Sequence, residues 1–318
     1  MIPKPGKPEL RLLGVVNPRD KIIQKALLLV LEAIFEPTFL DVSHGFRPNK
    51  GTHTALKMVH QKFKNVPWII EGDISKCFDS IRHNTLLSLL SQRISCAKTL
   101  ALIRSALEAG YVLDKKRYSQ KGVGIPQGGV ISPILANIYM HELDLFITGL
   151  AKELNLGIKR RGNPAYSKLN LQRGKAYKED DRPLYKSIGL EMRKISSRNM
   201  MDPKYIKIVY VRYVDDFIVG VFGSLSLAES IKQRIAVFLD KELGLTLSLT
   251  KTKITHSSSE TVSFLGAEIV NSMGRPKDVS TPGLGITGSN TQIDASVPGL
   301  QSSTGIGNGI RQCQEVGD

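Results

Sequence analysis

The sequence predicts an α/β protein in which an antiparallel sheet is backed by helices. The stretch Ile206–Phe222 consists mainly of β-branched and aromatic residues, which favour strands. Two adjacent carboxylates, Asp215 and Asp216, divide it into two apolar arms, as expected of a β-hairpin with the acids at its turn. Apolar residues recur at helical spacing before and after this stretch, so helices are expected to cover the sheet.

Upstream of the hairpin, helical periodicity alternates with one clear strand. Asn17 and Pro18 are typical of a helix start, and Pro37 ends that helix. The strand is expected at about 68–74, with Asp73 near its carboxyl end. The other expected elements are helices at about 52–63, 97–109 and 131–145, a helix from 79 onward, and a hairpin within 111–123.

The composition of the chain changes at a basic segment and again at a C-terminal tail. Residues 152–207 hold fifteen Lys and Arg against six acids, a net charge of +9, with poor apolar periodicity. We interpret them as an insertion between core elements, partly helical and largely exposed. A helix at about 227–243, capped by Gly244, and three short strands follow the hairpin. Gly, Ser, Thr and Pro dominate thereafter, so residues 275–318 are expected to be a disordered tail.

The overall charge indicates a polyanionic partner. The net charge is +15 and the isoelectric point about 9.7, which fit nucleic acid or an anionic membrane surface. The three cysteines form no CxxC pair, which excludes a zinc ribbon and a disulfide framework and favours a reducing compartment. There is no apolar run of about 18 residues and no signal-peptide core, so no membrane span is expected.

The adjacent acids of the hairpin suggest a metal site. Apposed carboxylates repel each other and resist desolvation unless a cation lies between them, and hard oxygen ligands favour Mg²⁺. Taken alone, an ordinary acidic turn explains the pair equally well. If the strand that carries Asp73 neighbours the hairpin, three carboxylates can converge around two Mg²⁺ ions, the arrangement that suits nucleotidyl transfer.

Seven motifs follow one another along the chain. They are RLLGVVNPRDKIIQKAL (11–27), SHGFRPNKGTHTAL (43–56), EGDISKCFDSIRHNTLL (71–87), GVGIPQGGVISPILANIYMHELD (122–144), YVRYVDDFIVGV (210–221), LTLSLTKTKITH (245–256) and VSFLG (262–266). In this order they resemble the motifs of the reverse transcriptases encoded by group II introns, also called intron maturases. The resemblance covers about residues 9–274. It implies a polymerase fingers-and-palm domain over residues 1–274, with 152–207 as an insertion.

The resemblance also implies roles for single positions. Asp73, Asp215 and Asp216 match the triad that binds two catalytic Mg²⁺ ions, and the carbonyl of Ile74 matches a secondary metal contact. Phe78 matches the bulky residue that abuts the sugar 2′ position and disfavours ribonucleotides, although a core aromatic is the alternative. The other matched positions concern the nucleotide. Arg47 matches a residue at the triphosphate, and Gln127, Gly128 and Gly129 match a loop that lies against the nucleotide and the template. Lys251 matches a lysine near the leaving pyrophosphate, with an exposed strand lysine as the alternative.

The expected function is RNA-directed DNA synthesis of the group II intron type. The implied partners are intron RNA as template and ligand, a DNA primer and deoxynucleoside triphosphates. The basic segment is expected to contact RNA through Lys159, Arg160 and Arg161. An RNA-binding splicing cofactor and an inactive remnant are the alternatives, because the thumb, maturase and endonuclease regions of full-length members are expected to be missing. A mitochondrial location is favoured, with a chloroplast or the bacterial cytoplasm as alternatives.

Overall fold

The computed structural model describes residues 14–113, 115–118, 122–199, 202–248, 251–257 and 259–271, together with short strands outside these ranges. Most of the predicted tail lies outside the described residues. Its described part, Thr291–Asp294, is paired as a strand, and the disorder of the tail as a whole stays a prediction.

Helices and short strands alternate along the chain. The strands are β1 Ile2–Pro3, β2 Leu10–Arg11, β3 Trp68–Gly72, β4 Ile74–Ser75, β5 Tyr111–Leu113, β6 Lys116–Tyr118, β7 Lys207–Tyr213, β8 Asp216–Phe222, β9 Thr246–Leu247, β10 Lys253–His256, β11 Val262–Phe264, β12 Ala267–Asn271 and β13 Thr291–Asp294. The α-helices are α1 Pro18–Phe35, α2 Thr52–Lys62, α3 Cys77–Ser80, α4 His83–Ser91, α5 Ala97–Glu108, α6 Ser132–Leu154, α7 Pro164–Lys178, α8 Arg182–Lys194 and α9 Leu225–Phe238. In the part of the chain described, no helix is both long and apolar enough to cross a membrane.

An antiparallel sheet in the order β10–β3–β8–β7 lies at the centre of the fold, and it confirms the predicted sheet backed by helices. Side chains alternate between its faces, as the pleat requires. On β8, Phe217 and Val219 join the core under α6 and α9, whereas Ile218 joins a second core under α2, β11 and β12. Because both faces are covered, the hairpin arms are mostly apolar, with the buried Arg212 as the main exception.

Two predicted elements have different bounds in the structure. The helix expected to end near residue 145 continues to Leu154 as α6, because Ile147 and Leu150 keep its inward face buried. The strand expected at about 68–74 is interrupted at Asp73: β3 before it pairs with β8, and β4 after it pairs with β9. Asp73 therefore occupies the point where the chain passes from one sheet to another.

The basic insertion forms a helical hairpin of α7 and α8. Their contact buries Ala176, Ile188 and Met192, so the segment has more apolar packing than its sequence pattern predicted. At the base of the hairpin, Asn163 N donates to Ser197 O at 3.0 Å and Asn163 Nδ2 donates to Ser196 O at 3.0 Å. The insertion is thus partly helical, as predicted, with most of its charged side chains exposed.

Candidate active site

The central sheet places Asp73 beside the acids of the hairpin. In the antiparallel ladder of β3 and β8, Gly72 is opposite Phe217. The next residues beyond this pair are Asp73, directly after β3, and Asp216, the first residue of β8. Opposite residues on neighbouring antiparallel strands have Cα atoms about 4.5–5.5 Å apart. The backbone therefore brings together two acids that are far apart in the sequence.

The hairpin turn that carries the acids has a strained backbone. Tyr213 pairs with Asp216, which leaves Val214 and Asp215 as the two turn residues. Val214 has a φ of +59°, a left-handed conformation that β-branched residues rarely adopt. Such a residue typically costs about 1–3 kcal/mol and persists only where its surroundings hold it. A Cβ added to Gly45 would lie 2.8 Å from the amide nitrogen of Val214, so this glycine permits the close approach.

A fully buried ion pair lies directly behind this turn. Arg212 Nε donates to Asp144 Oδ1 at 2.7 Å, and Arg212 Nη2 donates to Asp144 Oδ2 at 2.6 Å. The hydroxyl of Tyr210 donates to Asp144 Oδ1 at 2.9 Å. Burial by itself lowers the pKa of Arg212, but the carboxylate of Asp144 outweighs it, so the pKa is raised. Burial also raises the pKa of Tyr210, so both groups stay protonated at neutral pH.

The same guanidinium fixes the turn to neighbouring elements. Arg212 Nη1 donates to the carbonyl oxygen of Val214 at 2.8 Å, and Arg212 Nη2 donates to Ser43 Oγ at 2.8 Å. Asn137 Nδ2 of α6 donates to the carbonyl oxygen of Gly45 at 2.8 Å. The loop around residues 43–45, α6 and the hairpin are therefore joined through one buried polar network. The sequence did not predict this network. The available signal was a charged residue within each of two largely apolar elements, Arg212 in β7 and Asp144 in α6.

The carboxylate of Asp73 has a cationic partner in this conformation. Lys251 Nζ lies 2.7 Å from Asp73 Oδ1, and Asp73 O accepts a hydrogen bond from Ser248 N at 2.8 Å. Ile74, predicted to offer a carbonyl to a metal, is buried and begins β4. Within the described residues, no group of three His, Cys, Asp or Glu side chains is arranged to hold a metal ion. Carboxylates supply the hard oxygen donors that Mg²⁺ prefers, so metal binding by the three acids stays a prediction that requires the lysine to move away.

The loop of residues 126–130 is fixed against the start of the first helix. Gly128 has a φ of +106°, and a Cβ there would overlap the carbonyl oxygen of Gly14. Gly14 N donates to Gln127 O at 2.7 Å, and Val130 N donates to Gln24 Oε1 at 2.7 Å. A glycine is therefore required at position 128 by both conformation and space.

Comparison with known proteins identifies the family of this chain. Residues 2–156 match the family model described as reverse transcriptase (RNA-dependent DNA polymerase). The uncharacterized 91 kDa protein in cob intron of Schizosaccharomyces pombe is 44% identical over 265 residues, which cover 82% of this chain and 32% of that protein. The group II intron-encoded protein LtrA of Lactococcus lactis subsp. cremoris is 39% identical over 279 residues, covering 84% of this chain and 46% of LtrA. The chain belongs to the group II intron-encoded reverse transcriptases.

This reverse transcriptase family member spans about a third to a half of the length of these two relatives. Among solved structures, an apo telomerase from Candida tropicalis, truncated from its C-terminal domain, is 14% identical with a TM-score of 0.46. That alignment covers 79% of this chain and 44% of the telomerase chain.

Arg47, predicted to reach the triphosphate, makes contacts within the protein. Its Nε donates to Glu36 Oε1 at 2.9 Å, and its Nη1 donates to the carbonyl oxygens of Leu40 and Ser43 at 2.7 and 2.8 Å. The guanidinium also lies 5.3 Å from the ring centroid of Phe39. In this conformation Arg47 stabilises the loop between α1 and α2, and a triphosphate contact stays a prediction that requires some of these bonds to exchange.

Cys77 and Phe78 lie on the short helix α3, which follows Asp73 in the chain. Phe78 is half-buried and packs against the main core, so its position allows both the predicted sugar contact and a packing role. Cys77 is buried, and its Sγ lies 3.9 Å from Met140 Sδ. Burial, with a further contribution from the carboxylate of Asp215, raises the pKa of the Cys77 thiol to about 12. The thiol is therefore a packing group rather than a nucleophile.

Two of the three residues predicted to contact RNA have protein partners. Arg160 is buried, donates to Asn65 O at 3.2 Å and lies 4.7 Å from the ring centroid of Phe222. Arg161 Nη2 lies 2.6 Å from Asp202 Oδ1, and its hydrogen bonds lower the pKa of Asp202. Lys159 is exposed. Arg160 and Arg161 thus stabilise the base of the insertion, and their contact with RNA stays a prediction.

Proposed function

We propose that this chain carries an RNA-directed DNA polymerase site that extends a DNA primer on an RNA template. The observation that supports the proposal is the register of β3 and β8, in which Gly72 pairs with Phe217, one residue before Asp73 and one residue after Asp216. Membership of the group II intron-encoded reverse transcriptases supports the same reaction. The substrates are deoxynucleoside triphosphates, and the product is a primer longer by one nucleotide with release of pyrophosphate.

The acidic edge of the sheet would hold two Mg²⁺ ions. Asp73, Asp215 and Asp216 supply carboxylate oxygens, and Ile74 supplies a backbone carbonyl. When bound there, Mg²⁺ activates the primer 3′-hydroxyl and neutralises charge on the phosphates. The role of the protein is to fix these oxygens on rigid strands. The buried contact of Arg212 with the carbonyl of Val214 supports such rigidity at the turn.

The residues around the acids would position the nucleotide. Phe78 would lie against the sugar 2′ position, where a 2′-hydroxyl would meet the ring. Lys251, released from Asp73, would face the pyrophosphate. The fixed loop of Gln127, Gly128 and Gly129 would support the base and the template. Arg47 would approach the triphosphate if its bond to Glu36 exchanges, since guanidinium geometry suits phosphate oxygens.

The natural template and ligand would be the group II intron RNA. The net charge of +15 supports a nucleic-acid partner, and the name of LtrA links a relative to such an intron. We infer a mitochondrial location, with a chloroplast or the bacterial cytoplasm as alternatives. The yeast relative supports a eukaryotic source, whereas LtrA keeps the bacterial one open. Fractionation of source cells would decide among them.

An RNA-binding splicing role without polymerisation is the second candidate. The ion pair between Lys251 and Asp73 favours this second candidate, because the ammonium group is bound to the carboxylate that a metal ion would need. The basic insertion serves either function. The two candidates differ in whether the acidic edge takes up Mg²⁺ and nucleotides.

Primer extension by the purified chain tests the proposal. The assay uses an RNA template, a DNA primer and deoxynucleoside triphosphates, with Mg²⁺ or with chelator. We expect Mg²⁺-dependent extension that fails with ribonucleotides. If the chain binds the template–primer but adds no nucleotide at any Mg²⁺ concentration, the polymerase proposal is wrong. Acceleration of intron splicing by the same preparation would then favour the second candidate.

A further inference from the structure

A groove of about 730 Å³ lies between the two helices of the basic insertion. We refer to it as the α7–α8 groove. Aromatic, cationic and apolar side chains line it, chiefly Tyr166, Arg173, Tyr185, Lys186, Leu190 and Arg193. Its volume falls within the range of small-molecule and cofactor sites in proteins. None of its lining residues belongs to the acidic edge of the sheet, and the proposed polymerase chemistry does not use it.

The charge of the groove is of one sign. Arg173, Lys186 and Arg193 contribute positive charge, and no carboxylate is found among the lining residues in this described part of the chain. Lys186 and Arg193 are exposed and stand seven residues apart on α8, which is about 10 Å along a helix axis. Two cations at this spacing on an open groove favour an extended polyanion over a single small anion.

An aromatic surface is already organised inside the groove. The guanidinium of Arg173 lies 4.3 Å from the ring centroid of Tyr185, and Arg173 Nη2 donates to the Tyr185 hydroxyl at 2.9 Å. Arg173 Nε is covered from solvent and has no hydrogen-bond partner among the described residues. Gly189 faces this guanidinium, since a Cβ there would lie 3.7 Å from Arg173 Cζ. A planar cation stacked on a phenol ring is thus held in place by the protein itself.

We propose that the α7–α8 groove binds single-stranded RNA. Phosphates would contact Lys186 and Arg193, and an unstacked base would contact the surface formed by Tyr185 and Arg173. Aromatic rings recognise bases that have left the helical stack, which favours a single strand over a duplex. The groove has the charge that this contact requires, whereas Arg160 and Arg161 are engaged by protein groups. This inference rests on the proposed function, because it names where the chain holds its RNA.

The first test removes charge from the groove and compares it with charge removed outside it. Lys186→Gln/Arg193→Gln alters the groove. Lys168→Gln/Lys175→Gln is the matched control, because these exposed residues of α7 have the same seven-residue spacing and do not line the groove. The full chain is titrated with a single-stranded RNA and with a duplex of the same sequence, without nucleotides, over a range of salt.

We expect the groove variant to lose about tenfold in affinity for the single strand at low salt. Its salt dependence, as the slope of log affinity against log salt, should become shallower by about 1.4, since each neutralised phosphate contributes about 0.7. The control should change affinity less than threefold, and the duplex should be little affected. Equal losses in both variants would mean a diffuse basic surface and would overturn the proposal. A larger loss for the duplex than for the single strand would also overturn it.

The second test separates stacking from charge. Tyr185→Leu removes the ring and should lower the affinity for single-stranded RNA about tenfold without changing the salt slope. Tyr185→Phe keeps the ring but loses the hydroxyl contact with Arg173. Its affinity for single-stranded RNA should stay within about threefold of that of the unaltered chain. Unchanged binding by Tyr185→Leu would exclude the stacking contact. Because nucleotides are absent, the result is independent of polymerisation: a chain that extends no primer but shows these losses refutes the polymerase proposal alone.

Discussion

Arg212 and Asp144 form an ion pair at 2.6 Å in which neither side chain is exposed to solvent. The arginine lies on β7, two residues before Val214, and the aspartate lies on α6. Pairs of this kind contribute little net stability, because desolvation offsets the attraction. Removal of one partner is a different matter, because it leaves the other charge buried without compensation. The pair is therefore a sensitive test of how the acidic turn is held.

Asp144→Asn should destabilise the protein by about 3–5 kcal/mol in chemical unfolding. The amide is nearly isosteric, so the loss would come from the uncompensated guanidinium of Arg212. Glu153→Gln is the matched control, because Glu153 pairs with Arg234 at 2.8 Å on the exposed surface. That substitution should cost at most about 1 kcal/mol. Similar losses in the two variants would show that burial of the first pair has no special energetic consequence.

The double substitution Asp144→Leu/Arg212→Met extends this prediction. Apolar replacement of both partners should recover most of the stability lost in Asp144→Asn. Primer extension should stay impaired, because the carbonyl of Val214 loses the donor that holds it. Full recovery of both stability and extension would limit Arg212 to a packing role.

Asp215→Asn and Asp216→Asn should each abolish nucleotide incorporation. Each change removes a carboxylate from the proposed metal site, and loss of carboxylate repulsion should leave the fold intact or slightly more stable. Primer extension measures the activity, and thermal unfolding measures the fold. Near-normal extension by either variant would contradict the assignment of the acidic turn as the catalytic centre.

Phe78→Ala should ease the incorporation of ribonucleotides. The ring would no longer occupy the space that a 2′-hydroxyl needs, so the ratio of kcat/KM for ribonucleotides to that for deoxyribonucleotides should rise. Steady-state primer extension with each nucleotide type gives this ratio. An unchanged ratio, together with a loss of stability, would assign the side chain to the core.

Lys251→Met should increase the affinity of the metal site about fivefold, because exposed ion pairs contribute up to about 1 kcal/mol. The ammonium group of Lys251 lies 2.7 Å from Asp73 Oδ1 and would compete with a cation there. Binding of Mn²⁺ in the absence of nucleotide, followed by electron paramagnetic resonance, measures the affinity. Lys253→Met removes the same charge from the neighbouring strand and should have little effect. Equal affinities in all three proteins would mean that the observed ion pair does not oppose metal binding.

Stability should fall with acid partly because of His44. Its side chain is buried, and its Nδ1 lies 2.8 Å from Thr54 Oγ1. Burial, aided by nearby cations, lowers the pKa of His44 from 6.5 to about 4. Below about pH 6.5 the unfolded chain takes up a proton that the folded chain refuses, down to about pH 4. The expected cost at pH 5 relative to pH 8 is about 2 kcal/mol.

Unfolding at several pH values checks this expectation. His44→Gln should lower stability at neutral pH but flatten its dependence between pH 8 and pH 5. His53→Gln, which replaces an exposed histidine nine residues away, is the control. If His44→Gln and the unaltered chain lose stability in parallel, the acid sensitivity arises from other groups.

The local features of this protein followed from the sequence by itself. The apolar arms around Asp215 and Asp216 predicted the hairpin. A π-helical turn, Leu239–Leu243, continues α9, and Gly244, with a φ of +60°, ends it as expected. These features depend on neighbours a few residues apart, where side-chain pattern and backbone preference decide the outcome. The motif order in turn predicted the family, which the comparisons confirm, and a metal site at the three acids, which stays a prediction.

The partners of charged side chains were decided only by the tertiary structure. Arg212 meets Asp144 across 68 residues, and Lys251 meets Asp73 across 178. Arg160, predicted as an RNA contact, is buried over Phe222. Composition records the charge of a residue but not whether its neighbours in space will bury it, pair it or leave it in solvent. That outcome depends on how sheet register and helix packing bring distant segments together, and no local pattern encodes it.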